Sequence, residues 1–242
     1  MVIQARMGSS RLPGKSMLDL AGKPMIYRII QRVKNCKNID EIVLAIPNNK
    51  DNEILKEIAN QLKIKLFCGS EHNLVDRYYH AAIKENAKFV VRLPADNAIP
   101  EPQEIDKIID YHISLARPGF STNLAQIFNS GYPDGIGAEI FDFCLLEEVW
   151  LKDISDEKKE HVHLNFFDYS TGYEVDKSWC PVSTIKCPSI FARPDIVLDV
   201  NTRQEYEFIK EIYEYFYKKN SLFHITDIIN WYDNIYKKQI RA

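Results

Sequence analysis

Between Gln4 and Lys15 the chain reads Gln-Ala-Arg-Met-Gly-Ser-Ser-Arg-Leu-Pro-Gly-Lys, which places Arg6, Arg11 and Lys15 within ten residues punctuated by Gly8, Pro13 and Gly14. Glycines let main-chain N–H groups come close to an anion, and basic side chains neutralise it. Ala5, Gly8 and Ser9 would supply the backbone of such a cradle, and Arg6, Arg11 and Lys15 its charge. The chemistry this points to is polyphosphate binding. A plain basic surface loop is the alternative, and cations this dense between glycines argue against it.

The segment almost spells a P-loop, which needs G-x-x-x-x-G-K-[ST]. Five residues separate Gly8 from Gly14, not four. Pro13 also removes an N–H where that loop needs one. The following Met17-Leu18-Asp19-Leu20-Ala21-Gly22-Lys23-Pro24 is too broken for the long helix a P-loop enters. The P-loop NTPase class is set aside.

The elements that must position this loop alternate. A short apolar strand, Met1 to Ile3, precedes it. Pro24 opens a helix with Met25, Ile26, Ile29, Ile30 and Val33 inward. Ile42 to Ile46 is a continuous apolar run, as in a buried parallel strand. A helix from Asp51, a strand over Lys65–Cys68, a helix over Leu74–Lys84 and a strand over Phe89–Leu93 follow. This βαβαβαβ order predicts an α/β fold with a mostly parallel sheet and helices on both faces. Ligands of such sheets bind beyond the carboxyl ends of the strands, so the basic loop and Pro94-Ala95-Asp96 should meet on one rim. Further on, the pattern predicts a helix over Glu101–Ser114, strands at Phe120–Leu124 and Ala138–Phe141, and helices over Phe143–Leu151 and Asp156–Phe167. A strand should end near Asp199, before a helix over Arg203–Tyr217. Residues 1–242 read as one domain, with 120–190 as an α+β insertion for acceptor binding and dimerisation.

The opening loop with Gly22-Lys23-Pro24 resembles the cytidylyltransferases of the spore-coat polysaccharide and CMP-sugar synthetase type, over nearly the whole chain. The resemblance implies a Rossmann-like fold of the nucleotide-diphospho-sugar transferase type. It implies transfer of a cytidylyl group from CTP to a sugar or phosphorylated small molecule, with pyrophosphate released. Arg92-Leu93-Pro94-Ala95-Asp96 resembles the family segment whose aspartate binds Mg²⁺, with Ala95 in place of the usual glycine. In Val197-Leu198-Asp199-Val200-Asn201-Thr202 the second family aspartate falls on Asn201. An amide is a poorer magnesium ligand, so Asp199, two residues back on an expected strand and on the same face, is expected to supply the carboxylate while Asn201 assists or caps the next helix. Gly69-Ser70 and Asp76-Arg77 match a segment suited to base and ribose contacts, and Arg92 joins them, although Asp76-Arg77 could equally be a helix ion pair. Tyr132-Pro133-Asp134-Gly135 with Glu139, and Glu160-His161-Val162, match the acceptor side, where Asn123 is placed too. His161 and His163 are two apart on an expected helix, roughly 200° divergent, so no zinc site is expected.

Composition narrows the partners. A net charge of −3 argues against nucleic acid, and no apolar run approaches the ~18 residues of a membrane span. Five cysteines without a C-x-x-C pair, and no signal-peptide pattern, point to free thiols in the cytoplasm. A homodimer is expected from the aromatic-rich last third. Two other classes remain open. A glycosyltransferase of the same fold would normally carry D-x-D, and Asp96-Asn97-Ala98 lacks the second aspartate. A non-catalytic nucleotide-binding protein would tolerate Ala95 and Asn201.

Overall fold

The computed structural model describes residues 1–124 and 127–238. Among the described residues the strands are β1 (Val2–Gln4), β2 (Asp19–Leu20), β3 (Lys23–Pro24), β4 (Val43–Pro47), β5 (Lys65–Gly69), β6 (Phe89–Pro94), β7 (Phe120–Thr122), β8 (Glu139–Asp142), β9 (Phe167–Asp168), β10 (Tyr173–Glu174) and β11 (Val182–Ser183). The α-helices of the described residues are α1 (Met25–Val33), α2 (Glu53–Leu62), α3 (Leu74–Lys84), α4 (Pro102–Ser114), α5 (Phe143–Trp150), α6 (Asp156–Glu160), α7 (Arg203–Phe216) and α8 (Ile225–Trp231).

Seven strands form one sheet in the order β11-β7-β8-β6-β1-β4-β5. β1 pairs in parallel with β4 on one side and β6 on the other, so that Ile3 faces both Leu44 and Leu93. β8 runs antiparallel to β6 and β7, which makes the sheet mixed at that end. Of residues 120–190, β7, β8 and β11 thus belong to the main sheet, while β9 and β10 form a separate hairpin.

Alternation along each strand creates two cores. Ile3, Leu44 and Leu93 pack with the apolar faces of α1, α2, α4, α7 and α8. Val2, Val43 and Val90 pack on the other face with α3 and α5. Each fully buried aliphatic side chain contributes roughly 1.5–3 kcal/mol. A buried trio, His112 with Ser121 at 2.8 Å and Asp142 at 3.2 Å, fastens α4 to β7 and β8.

Two expectations are corrected. The helix expected over Asp156–Phe167 ends at Glu160, because His161 leaves helical geometry at φ −115°, ψ 89°. Asn165 then uses its side-chain N–H groups on the carbonyls of Lys158 and Val162, closing a short 3-10 turn. Second, the helix after Asn201 is capped by Thr202, not Asn201. The Thr202 hydroxyl accepts from the Glu205 N–H, and Glu205 reaches back in a capping box.

Candidate active site

β1 is where the sheet order turns, and the loops after β1 and β6 open there into a cleft of about 430 Å³. Ala5, Arg6, Ser9, Arg11, Lys15, Arg77, Arg92, Asp96, Asp134, Glu139, Glu160, His161, Asp199 and Asn201 all line it.

The loop folds on the Met7 peptide. The Met7 carbonyl accepts N–H bonds from Ser9 and from Gly14, each at 3.0 Å. Gly14 makes this closure at φ 71°, a left-handed conformation that a side chain would disfavour. Gly8 is exposed and does not line the cleft. The three cations reach the opposite wall. Lys15 Nζ donates to Asp96 Oδ2 at 3.0 Å and to the Val200 carbonyl at 2.9 Å. Arg11 donates to Asn201 Oδ1 at 2.7 Å, and Arg6 to Glu160 Oε1 at 2.9 Å.

That wall is acidic. Val200 N–H bonds the Asp96 carbonyl at 2.8 Å, and Leu198 N–H bonds the Asp134 carbonyl at 3.0 Å. These bridges bring residues 96, 134 and 199 together from three distant segments. Gly135 permits the approach: at φ 87° its missing Cβ would stand 2.6 Å from the Leu198 carbonyl carbon. Burial first, and then the neighbouring Asp199, push the Asp134 carboxyl up to about 6. Burial, Glu205 and Asp96 likewise raise Asp199, partly offset by Asn201. Mutually repelling, half-desolvated carboxylates are suited to a divalent cation. Among the described residues no three His, Cys, Asp or Glu side chains form a closed metal cage. Ala95, in the position of the family glycine, is buried and is not among the residues with positive φ, so its methyl is accommodated.

Arg77 also lines the cleft. It is 3% exposed, and its Nε and Nη1 have no hydrogen-bond partner among the described residues. Burial lowers its pKa to about 10. A buried guanidinium left unsatisfied costs about 1–3 kcal/mol or more, and a ligand acceptor would remove that cost. Gly69 lets it in, since a Cβ there would lie 3.2 Å from Arg77 Cγ. Ser70 accepts from the Asn73 N–H, and Asn73 caps α3, so neither Gly69 nor Ser70 lines the cleft.

Some expected residues are used otherwise. Arg92 and Glu139 line the cleft but pair with each other at 2.5 Å. Burial opposes the Arg92 charge, and Glu139 more than restores it. Tyr169 donates to the other Glu139 oxygen at 3.0 Å. Asp76 does not line the cleft; it accepts from Trp150 Nε1 at 2.9 Å and stands 3.3 Å from His80. Asn123 is corrected: it is fully buried, donating to the Glu104 carbonyl and accepting from Ala138 N–H, and it does not line the cleft.

The break in α6 also returns His161 and His163 to one place. Their rings lie 5.9 Å apart and both line the cleft, against the divergence expected of a helix. Burial lowers the His163 pKa to about 4, and its Nδ1 has no hydrogen-bond partner among the described residues. His163 and Tyr169 were not anticipated, because their approach depends on that break.

Residues 1–225 match the sequence family described as cytidylyltransferase. The chain belongs to that family. It is 28% identical over 218 residues to the spore coat polysaccharide biosynthesis protein SpsF of Bacillus subtilis, covering 88% of this chain and 85% of that protein. It is 35% identical over 120 residues to a 3-deoxy-manno-octulosonate cytidylyltransferase of Lawsonia intracellularis, covering 48% and 46% respectively. Among solved structures it is similar to a cytidylyltransferase from Leptospira borgpetersenii serovar Hardjo-bovis, with a TM-score of 0.85, 25% identity, and coverage of 98% of this chain and 94% of that one. The chain is therefore a nucleotidyltransferase of the cytidylyltransferase family with the Rossmann-like fold its sequence implied. Among the described residues no helix is long and apolar enough to cross a membrane.

Proposed function

We propose that this cleft transfers a cytidylyl group from CTP to a sugar or phosphorylated small molecule, releasing pyrophosphate, in the making of surface-polysaccharide building blocks. One observation carries the reading: the cations of a glycine-punctuated loop, Arg6, Arg11 and Lys15, face Asp96 and Asp199 across a single cleft. Cations and carboxylates on opposed walls suit a triphosphate whose charge is shared between side chains and a divalent ion.

Arg6, Arg11 and Lys15 hold the β- and γ-phosphates and stabilise charge on the departing pyrophosphate. Asp96 and Asp199, with Asn201 beside them, would hold Mg²⁺, which would offset phosphate charge and polarise the reacting centre. Arg77 donates its unpartnered N–H groups to the nucleoside side. His161, His163 and Glu160 border the acceptor side and orient the attacking oxygen. That oxygen forms a bond to the α-phosphorus as the bond to pyrophosphate breaks, and catalysis is mostly positioning and electrostatics. The relatives' polysaccharide and octulosonate names support an acceptor of this class. The working form is read as a cytoplasmic homodimer assembled on residues 120–190.

A thermal-shift screen of nucleoside triphosphates with Mg²⁺ tests the donor, because a ligand bound only by the native state raises the melting point. CTP should give the largest rise. An equal rise with every triphosphate would contradict the choice of CTP.

A further inference from the structure

The Met7 peptide, on which the phosphate loop closes, is itself held from outside the loop. Its N–H donates to Asn52 Oδ1 at 2.9 Å. Asn52 follows β4, is 2% exposed, and does not line the cleft. The direction of this bond determines the rest. Met7 N–H can only donate, so the Asn52 amide must present oxygen to it. The Asn52 Nδ2 then points away and donates to Asn49 Oδ1. Asn49 Nδ2 in turn donates to Glu71 Oε2 at 2.9 Å. Glu71 lines the cleft and is among the charges acting on Arg77.

We propose that Asn52 is a positioning residue for the phosphate loop, acting through Met7, and that the Asn52–Asn49–Glu71 chain ties that loop to the wall carrying Arg77. Met7 is bonded both ways, and its N–H bond leaves the loop for a buried side chain. Its carbonyl gathers Ser9 and Gly14, and its N–H is anchored to a buried amide. Releasing the N–H frees the pivot on which Arg6, Arg11 and Lys15 are set. The carboxylate at the far end keeps every amide in one orientation, since a carboxylate accepts only. The loop and the nucleoside wall come from different ends of the first half of the chain. This chain is a polar link between them that passes through the Met7 pivot.

The inference rests on the reading that the cleft binds a nucleoside triphosphate. It is tested by titrating CTP and CMP, with Mg²⁺, into the wild-type chain, Asn52→Ala and Asn49→Ala. CMP lacks the β- and γ-phosphates that the loop would hold. Asn52→Ala should bind CTP about tenfold more weakly, the scale of one lost hydrogen bond that leaves a donor unsatisfied, and should bind CMP as the wild type does. Asn49→Ala keeps the Met7 anchor and should lose about threefold for CTP alone. Asn49 is only partly buried, so this variant decides the matter if Asn52→Ala does not fold. A lowered melting point with unchanged CTP affinity would make the chain purely structural and overturn the proposal. Equal losses for CTP and CMP would overturn it too. If the wild type binds CMP but gains nothing from the extra phosphates of CTP, the triphosphate reading itself fails.

Discussion

Lys15 Nζ lies 3.0 Å from Asp96 Oδ2, joining the loop after β1 to the turn after β6 by an ion pair that is largely shielded on the lysine side. The two residues sit 81 positions apart, and the parallel pairing of β1 with β6 brings them together. The pair sets the cation assigned to phosphate against the carboxylate assigned to the metal, one from each wall of the cleft.

Replacing either partner should disable the chemistry more than the fold. Lys15→Ala or Asp96→Asn should each reduce turnover by roughly 10²-fold or more, the scale of losing one electrostatic contact in a transition state. Steady-state pyrophosphate release measures this. Near-normal rates from a folded variant would remove that residue's assigned role.

The second carboxylate can be tested separately. Asp199→Asn should raise the Mg²⁺ concentration giving half-maximal turnover by about tenfold or more. Asn201→Asp, which restores the family pattern, should leave that concentration unchanged or lower it. An Asp199→Asn enzyme with the wild-type metal titration would return the role to position 201.

Asp134 makes the metal-free protein sensitive to pH. Burial and Asp199 raise its folded pKa to about 6 from an ordinary 3.8. Protonated, it contributes stability that is fully present below the unfolded value and lost as pH rises through the folded one. Asp134→Asn should therefore melt higher than the wild type at pH 7 without divalent cations, by roughly 2–4 °C. The gap should close as pH falls from about 6 towards 4. Melting curves across that window check it, and a gap that widens on acidification would contradict the cause given.

Arg77 poses the opposite trade. Its buried Nε and Nη1 have no partner among the described residues, so Arg77→Met should leave the ligand-free melting point unchanged or raise it. The same variant should lose most of the melting-point rise that CTP produces. A variant that melts lower yet still responds fully to CTP would make Arg77 a structural residue.

Much of the fold was legible because its signals are local. The apolar runs of β4 and β6 announced a buried parallel sheet, and the helix read over Leu74–Lys84 is α3 at its observed ends. The Asp156–Phe167 stretch misled because Val162, Phe166 and Phe167 are apolar for the second core, not for a helix face. Asn123 looked like an acceptor contact and is instead held by backbone groups of α4 and the loop before β8. Asp134 was legible as a site residue but not as a neighbour of Asp199. Their meeting depends on a bridge between residues 134 and 197, which no local spacing encodes. The clue was Gly135, whose positive φ and close backbone approach are what a Y-P-D-G turn can supply.

Cytidylyl transfer by this cleft is followed with CTP labelled at the α-phosphate, Mg²⁺ and a panel of acidic sugars and phosphorylated acceptors. Label should move into an acceptor product while one pyrophosphate is released for each transfer, and Lys15→Ala should slow both by roughly 10²-fold or more. Label that remains in CTP with every acceptor, or that moves equally well from another triphosphate, would contradict it.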